Sequence, residues 1–154
     1  MQRPATRIEV SVPAQQLTLF NGDAAVAKFP ISTSKFGLGS EENSYRTPLG
    51  TFRIKEKIGG DQAMRTIFKG RVPEGCWEPG CVVEEDLVLS RILWLDGVEE
   101  ENANTYDRYI YIHGTNQEEL IGTPASHGCV RMRNHDMLEL YNLVEPETAV
   151  FIDA

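Results

Sequence analysis

Residues 126–132, SHGCVRM, set a histidine, a glycine and a cysteine side by side in a chain with only three histidines and three cysteines. A thiol is nucleophilic as its thiolate, and a nearby histidine or a helix N-terminus brings its pKa from about 8.5 to about 3.5–7.5. Both lie within reach of Cys129: His113 ends the alternating run RYIYIH, and the helical run NHDMLELY begins just beyond the cysteine. Gly128 permits backbone conformations that turn successive N–H groups into one space. Such donors make an oxyanion hole for acyl transfer.

Other chemistry fits the same residues. Cys129 can be a small buried apolar residue, as most free cysteines are. His113, His127, Cys129 and His135 can be gathered as a metal set, although their spacing matches none of the usual zinc patterns. His127 reads as a base, an orienting donor or a polar loop residue. Arg131 offers a planar fork for a substrate carboxylate, or a salt bridge to a local acid such as Asp136 or Glu139. Cys76 and Cys81 sit five positions apart, which allows a small disulfide loop without demanding one; neither is assigned a role.

The elements that must position these groups are mostly strands. Alternation over residues 7–12, then QQLTLF, the turn dipeptide Asn21-Gly22 and AVAKFPIST predict a strand followed by a hairpin. An extended loop rich in glycine and serine leads to Thr47-Pro48-Leu49-Gly50 and the strand TFRIKEKI. LVLSRILWL, residues 87–95, reads as a buried strand, and RYIYIH delivers His113 to a strand end that opens at Gly114. Met137, Leu138, Tyr141 and Val144 recur at helical spacing, with Asn134 placed to cap the start. TAVFID closes the chain as a strand.

Length bounds the rest: 154 residues suit a single domain, 1–154, with an irregular insertion at about 59–104. Fifteen Lys and Arg against twenty-three Asp and Glu give a net charge of −8, the wrong sign for neutralising phosphates. Nucleic acid and anionic membrane surfaces are therefore not expected partners. The odd cysteine count argues against a disulfide framework and for a reducing compartment.

The stretch YIYIHGTN, followed by IGTPASHGCVRMRNHDMLELYNLV, resembles the catalytic region of the L,D-transpeptidase family, the YkuD-type domain. IEVSVPAQQLTLF, FPIST and RTPLGTFRI extend the likeness to the family's opening strands and its Thr-Pro-x-Gly-x-Phe loop. The resemblance implies a mostly β fold: sandwich-like sheets, one short helix after the catalytic cysteine, and an inserted variable segment. It further implies that Cys129 attacks a carbonyl and His113 takes its proton. The backbone carbonyl of Gly114 would orient the imidazole, and N–H groups of His127, Gly128 and Cys129 would receive the oxyanion. Ser126, His127 and Arg131 would shape and charge the pocket.

By the same resemblance, the substrate is a peptidoglycan tetrapeptide stem, cut between its diamino acid and terminal D-Ala through a cysteine thioester, with neither metal nor cofactor. Carbapenem-type β-lactams would acylate Cys129. Water as acceptor gives L,D-carboxypeptidase activity, as in murein recycling; an amine gives 3–3 cross-links. The residues from Met1 lack the apolar run of a secretory leader. Cytoplasmic hydrolysis is therefore the expectation, with periplasmic or cell-wall cross-linking as the alternative if a leader has been removed. A non-catalytic peptide-binding domain is the alternative of another class. The oligomeric state is not legible.

Overall fold

The computed structural model describes residues 6–154; the first five residues, where a leader would join, lie outside the described part. The strands are β1 Thr6–Ser11, β2 Gln16–Asn21, β3 Ala24–Ser32, β4 Gly50–Ile58, β5 Thr66–Lys69, β6 Val72–Cys76, β7 Val88–Gly97, β8 Tyr111–Gly114, β9 Val130–Met132 and β10 Ala149–Asp153. An α-helix, α1 Asn134–Leu143, lies between β9 and β10.

The mostly β expectation holds, and its layers are parts of one continuous sheet in the order β4-β10-β1-β2-β3-β9-β8-β7-β5-β6. An additional β4–β7 pairing closes this sheet on itself. The pairing is possible because β7 divides one edge between two partners: Val88 and Leu89 face Phe68 and Ile67 of β5, while Ile92 to Gly97 run against β4. The β5–β6 hairpin is thereby left projecting outside the closed ring. Closure removes the unpaired edges that an open sheet would expose.

Inward positions alternate as a strand requires. Ile8 and Val10, Leu17 and Leu19, Ile112, Val130 and Met132 meet Phe52, Ile54, Leu93 and Leu95 in the core. The helix adds Met137 and Leu140, three residues apart on one face, and Val144 follows just past its end in extended backbone. Its last turn is capped by Lys57, whose Nζ donates to the carbonyls of Tyr141 at 2.8 Å and Val144 at 2.7 Å. At the other end Asn134 is not the cap. Arg133 holds that position, and the Asn134 N–H donates instead to Glu118 Oε2 at 2.7 Å.

Three local features depart from the sequence reading. RYIYIH is extended only from Tyr111, because residues 106–108 form a 3-10 turn and Tyr109 is left-handed at φ 59°. The short strand β9 follows Cys129 directly. The segment 59–104 is not uniformly peripheral: it contains the projecting hairpin and also β7, which lies against β4, β5 and β8.

Candidate active site

The parallel pairing of β8 with β9 puts His113 opposite Arg131 and Ile112 opposite Val130. Extending that register one step back sets Cys129 beside Tyr111, whose N–H donates to Cys129 Sγ at 3.3 Å. Side chains alternate along a strand, so Tyr111 and His113 leave the core face that Ile112, Val130 and Met132 occupy. Sixteen residues of sequence separation are thus erased by one strand pairing. Cys129 and His113 line the same cavity of about 330 Å³, together with Asp86, Val88, Tyr109, Tyr111 and His127.

His113 is 2% exposed, and its Nδ1 lies 2.6 Å from the carbonyl oxygen of Gly114. A carbonyl only accepts, so Nδ1 carries the proton and Nε2 is left as the basic nitrogen. Burial lowers the His113 pKa from 6.5, partly opposed by the negative Asp86 and by the Gly114 bond. The imidazole is therefore neutral at rest. Gly114 is required by close packing: a Cβ there would meet Asn134 Oδ1 at 2.4 Å and Leu89 O at 2.8 Å.

Cys129 is part-exposed by area, but the residue packs against the apolar cluster of Phe68, Ile92, Trp94 and Tyr111. Desolvation consequently dominates and pushes the thiol up to about 12, with the Tyr111 N–H pulling the other way. This reverses the pKa-lowering environment expected around Cys129. The helix N-terminus that was to help lies beyond β9 and is already satisfied by Glu118. The thiol donates instead to the Tyr109 carbonyl at 3.4 Å.

The loop before Cys129 is held from several directions. Ser126 is fully buried; its hydroxyl donates to the Cys129 carbonyl at 2.7 Å and accepts from the Gly128 N–H at 3.3 Å. It braces the turn and does not face the cavity, which corrects its expected place as a substrate contact. Thr47, from the Thr-Pro-x-Gly-x-Phe loop, donates its hydroxyl to the Gly128 carbonyl at 2.9 Å. Gly128 itself has φ 123°, a conformation that side chains rarely adopt.

Arg131 is also displaced from its expected role. It is fully buried, donating to Asp86 Oδ1 at 2.9 Å and Gln117 Oε1 at 2.6 Å. A guanidinium with no exposed surface cannot grip a substrate carboxylate. Nor is its partner one of the helix acids Asp136 or Glu139. His127 stays at the rim, with Nδ1 3.6 Å from Asp86 Oδ2 and its ring near Phe36 and Tyr45. His135 stands apart on α1 beside Asp136 and Glu139. Among the described residues, His113, His127 and Cys129 do not converge as a ligand set. Cys76 and Cys81 are exposed free thiols.

Asp86, Tyr109 and Tyr111 were not singled out by sequence. Asp86 was hidden within an acidic run, and the tyrosines within a strand pattern that explained them as packing. A second lobe of about 370 Å³ adjoins the cavity, sharing Tyr109 and His127 with it.

The family model of the YkuD L,D-transpeptidase catalytic domain matches residues 5–152. The chain belongs to that family. The YkuD protein of Bacillus licheniformis is 51% identical over 146 residues, covering 95% of this chain and 64% of its own. The YkuD protein of Bacillus subtilis is 48% identical over 146 residues, covering 95% and 65%. The chain thus spans somewhat less than two thirds of the curated relatives it matches. Among solved structures, the L,D-transpeptidase of Xylanimonas cellulosilytica superposes with a TM-score of 0.64 at 19% identity, covering 99% of this chain and 62% of the other. The Enterococcus faecium L,D-transpeptidase catalytic domain acylated by ertapenem gives 0.60 at 19% identity, with 99% and 100% covered. At that identity the likeness speaks for the YkuD fold.

Proposed function

We propose that this YkuD domain is a cysteine-dependent L,D-peptidase and acyltransferase acting on peptidoglycan tetrapeptide stems. The observation that carries the reading is the shared cavity of Cys129 and His113, with the imidazole proton committed to Gly114. Cys129 Sγ attacks the carbonyl of the diamino acid while its proton passes to His113 Nε2. The N–H groups of His127 and Cys129 receive the oxyanion, while that of Gly128, expected to join them, is held at rest by Ser126 Oγ. As the C–N bond breaks, the imidazolium returns the proton to the departing amine of D-Ala, leaving a thioester.

With water as the acceptor the thioester is hydrolysed to a tripeptide, the outcome favoured here. An amine from a second stem would give a 3–3 cross-link by the same chemistry. The ertapenem adduct described for the E. faecium domain supports carbapenem acylation of Cys129 here as well.

Incubation with a disaccharide tetrapeptide, read by product mass, tests the proposal. Loss of D-Ala alone supports the carboxypeptidase outcome, and a dimer mass supports cross-linking. No turnover by the wild type would sink the enzymatic reading and leave a peptide-binding domain.

A further inference from the structure

Strand β7 breaks its register with β8 at the step from His113 to Gly114. Leu89 faces Gly114 and Ile92 faces His113, so Ser90 and Arg91 are extra residues on β7 opposite a single peptide of β8. Ser90 is fully buried and left-handed at φ 73°, a conformation that residues other than glycine hold where their surroundings fix it. Two hydrogen bonds do so here: the Ser90 hydroxyl accepts from the Arg65 N–H at 2.9 Å and donates to Asn134 Oδ1 at 2.6 Å.

Asn134, buried at the start of α1, ties that bulge to the end of β8. Its Nδ2 donates to the Thr115 carbonyl at 2.8 Å and to Glu118 Oε2 at 3.0 Å. Those partners fix which end of the amide is oxygen, since two acceptors face one end and a hydroxyl donor faces the other. Asn134 Oδ1 also stands where a side chain on Gly114 would begin, 2.4 Å from the place of its Cβ. Gly114 is therefore packed at its own Cα and gripped one residue on, at Thr115. Its carbonyl is the one that lies 2.6 Å from His113 Nδ1.

We infer that Asn134, set by the Ser90 bulge, is a positioning residue for the His113 imidazole: it fixes the orientation of the Gly114 carbonyl, which in turn holds the Nδ1 proton and aims Nε2 into the cavity of Cys129. This role rests on the proposed function in one respect, that His113 takes the thiol proton. A displacement of about 1 Å at such a group costs about 10²-fold in rate, so support behind the imidazole is worth building into the core. Were Asn134 only an anchor for α1, its loss would lower stability and leave the imidazole as it is.

Two variants of the full chain separate positioning from stability. Asn134→Ala removes the amide, and Ser90→Gly removes only the hydroxyl, at a φ that glycine adopts freely. Without substrate, NMR of the isotope-labelled imidazole should show the His113 Nδ1–H protected from solvent exchange in the wild type. Exchange of that proton should quicken about ten-fold or more in either variant. On a disaccharide tetrapeptide, kcat should fall about ten-fold or more, with KM within about two-fold of wild type. Because Asn134 also bonds Glu118 at the start of α1, Ser90→Gly decides the matter if Asn134→Ala does not fold. An unprotected Nδ1–H in the wild type, or folded variants that keep the wild-type exchange rate and show only a lower urea midpoint, would overturn the inference. So would an unaltered kcat where the wild type is active. Failure of the wild type to turn over stems counts against the reaction alone, since the exchange is read without substrate.

Discussion

Arg131 and Asp86 form a 2.9 Å ion pair beside the cavity of Cys129 and His113, with the guanidinium fully buried and the carboxylate mostly so. The second oxygen of Asp86 faces His127 at 3.6 Å, and its charge raises the His113 pKa against the effect of burial. One carboxylate therefore compensates a buried cation and shifts the His113 imidazole. Asp86→Asn leaves Arg131 with Gln117 and Ser32 but no counter-charge. Breaking such a pair costs about 3 kcal/mol or more, readable as a lower urea midpoint. The His113 pKa should also fall further, moving the acid limb of activity to lower pH. Unaltered stability would remove the pair from this role.

The resting site is a neutral thiol beside a neutral imidazole, because burial raises one pKa and lowers the other. Iodoacetamide at pH 8 should therefore alkylate exposed Cys76 and Cys81 before Cys129, as peptide mapping would show. Preferential alkylation of Cys129 at neutral pH would contradict this. The same shifts affect stability. The folded His113 pKa lies below its unfolded value of 6.5, so its contribution is present above 6.5 and declines as pH falls toward the folded value. For Cys129 the contribution is present below 9.0 and is lost as pH rises toward about 12. Urea midpoints should reach a plateau between these windows, and His113→Gln should flatten the acid side.

Gly114 joins the His113 imidazole to the scaffold. Gly114→Ala forces a Cβ within 2.8 Å of the Leu89 carbonyl, a backbone atom that cannot swing aside. Overpacking of this kind costs about 1–3 kcal/mol. Because the strain falls on Gly114, whose own carbonyl holds His113 Nδ1, kcat should fall more than KM rises. Wild-type stability and kinetics would show that the strand accommodates the methyl group.

What the sequence revealed depended on whether chemistry or long-range pairing decided the outcome. The Asn21-Gly22 hairpin, the buried run that became β7 and the periodic helix were legible because local pattern suffices for each. Cys129 and His113 stood out as reactive types at a glycine loop and a strand end. Arg131 was misplaced because its environment depends on Asp86, forty-five residues away, which no local pattern couples to it. The hairpin strand β6 was invisible because VPEGC contains both proline and glycine and is exposed along its whole length. Closure of the sheet was equally hidden, since it depends on β7 sharing one edge between β4 and β5.

That exposed hairpin is latched by Arg71 at its turn. The guanidinium lies 4.7 Å from the Trp94 ring centroid and 5.2 Å from that of Tyr109, and donates to the Tyr111 hydroxyl at 3.2 Å. Tyr109 and Tyr111 line the cavity of Cys129 and His113, so the latch steadies part of its wall. Arg71→Ala should speed proteolysis within residues 66–76 and raise KM several-fold with little change in kcat. Cleavage at the wild-type rate with an unaltered KM would dismiss the latch.

The nucleophilic role of Cys129 is tested most directly by intact-protein mass spectrometry after brief mixing with a tetrapeptide stem, followed by acid quench and peptide mapping. The wild type should gain the mass of the stem lacking D-Ala, located at Cys129, while Cys129→Ala gains nothing and releases no D-Ala. D-Ala release by Cys129→Ala, or an adduct mapped to Cys76 or Cys81, would contradict it.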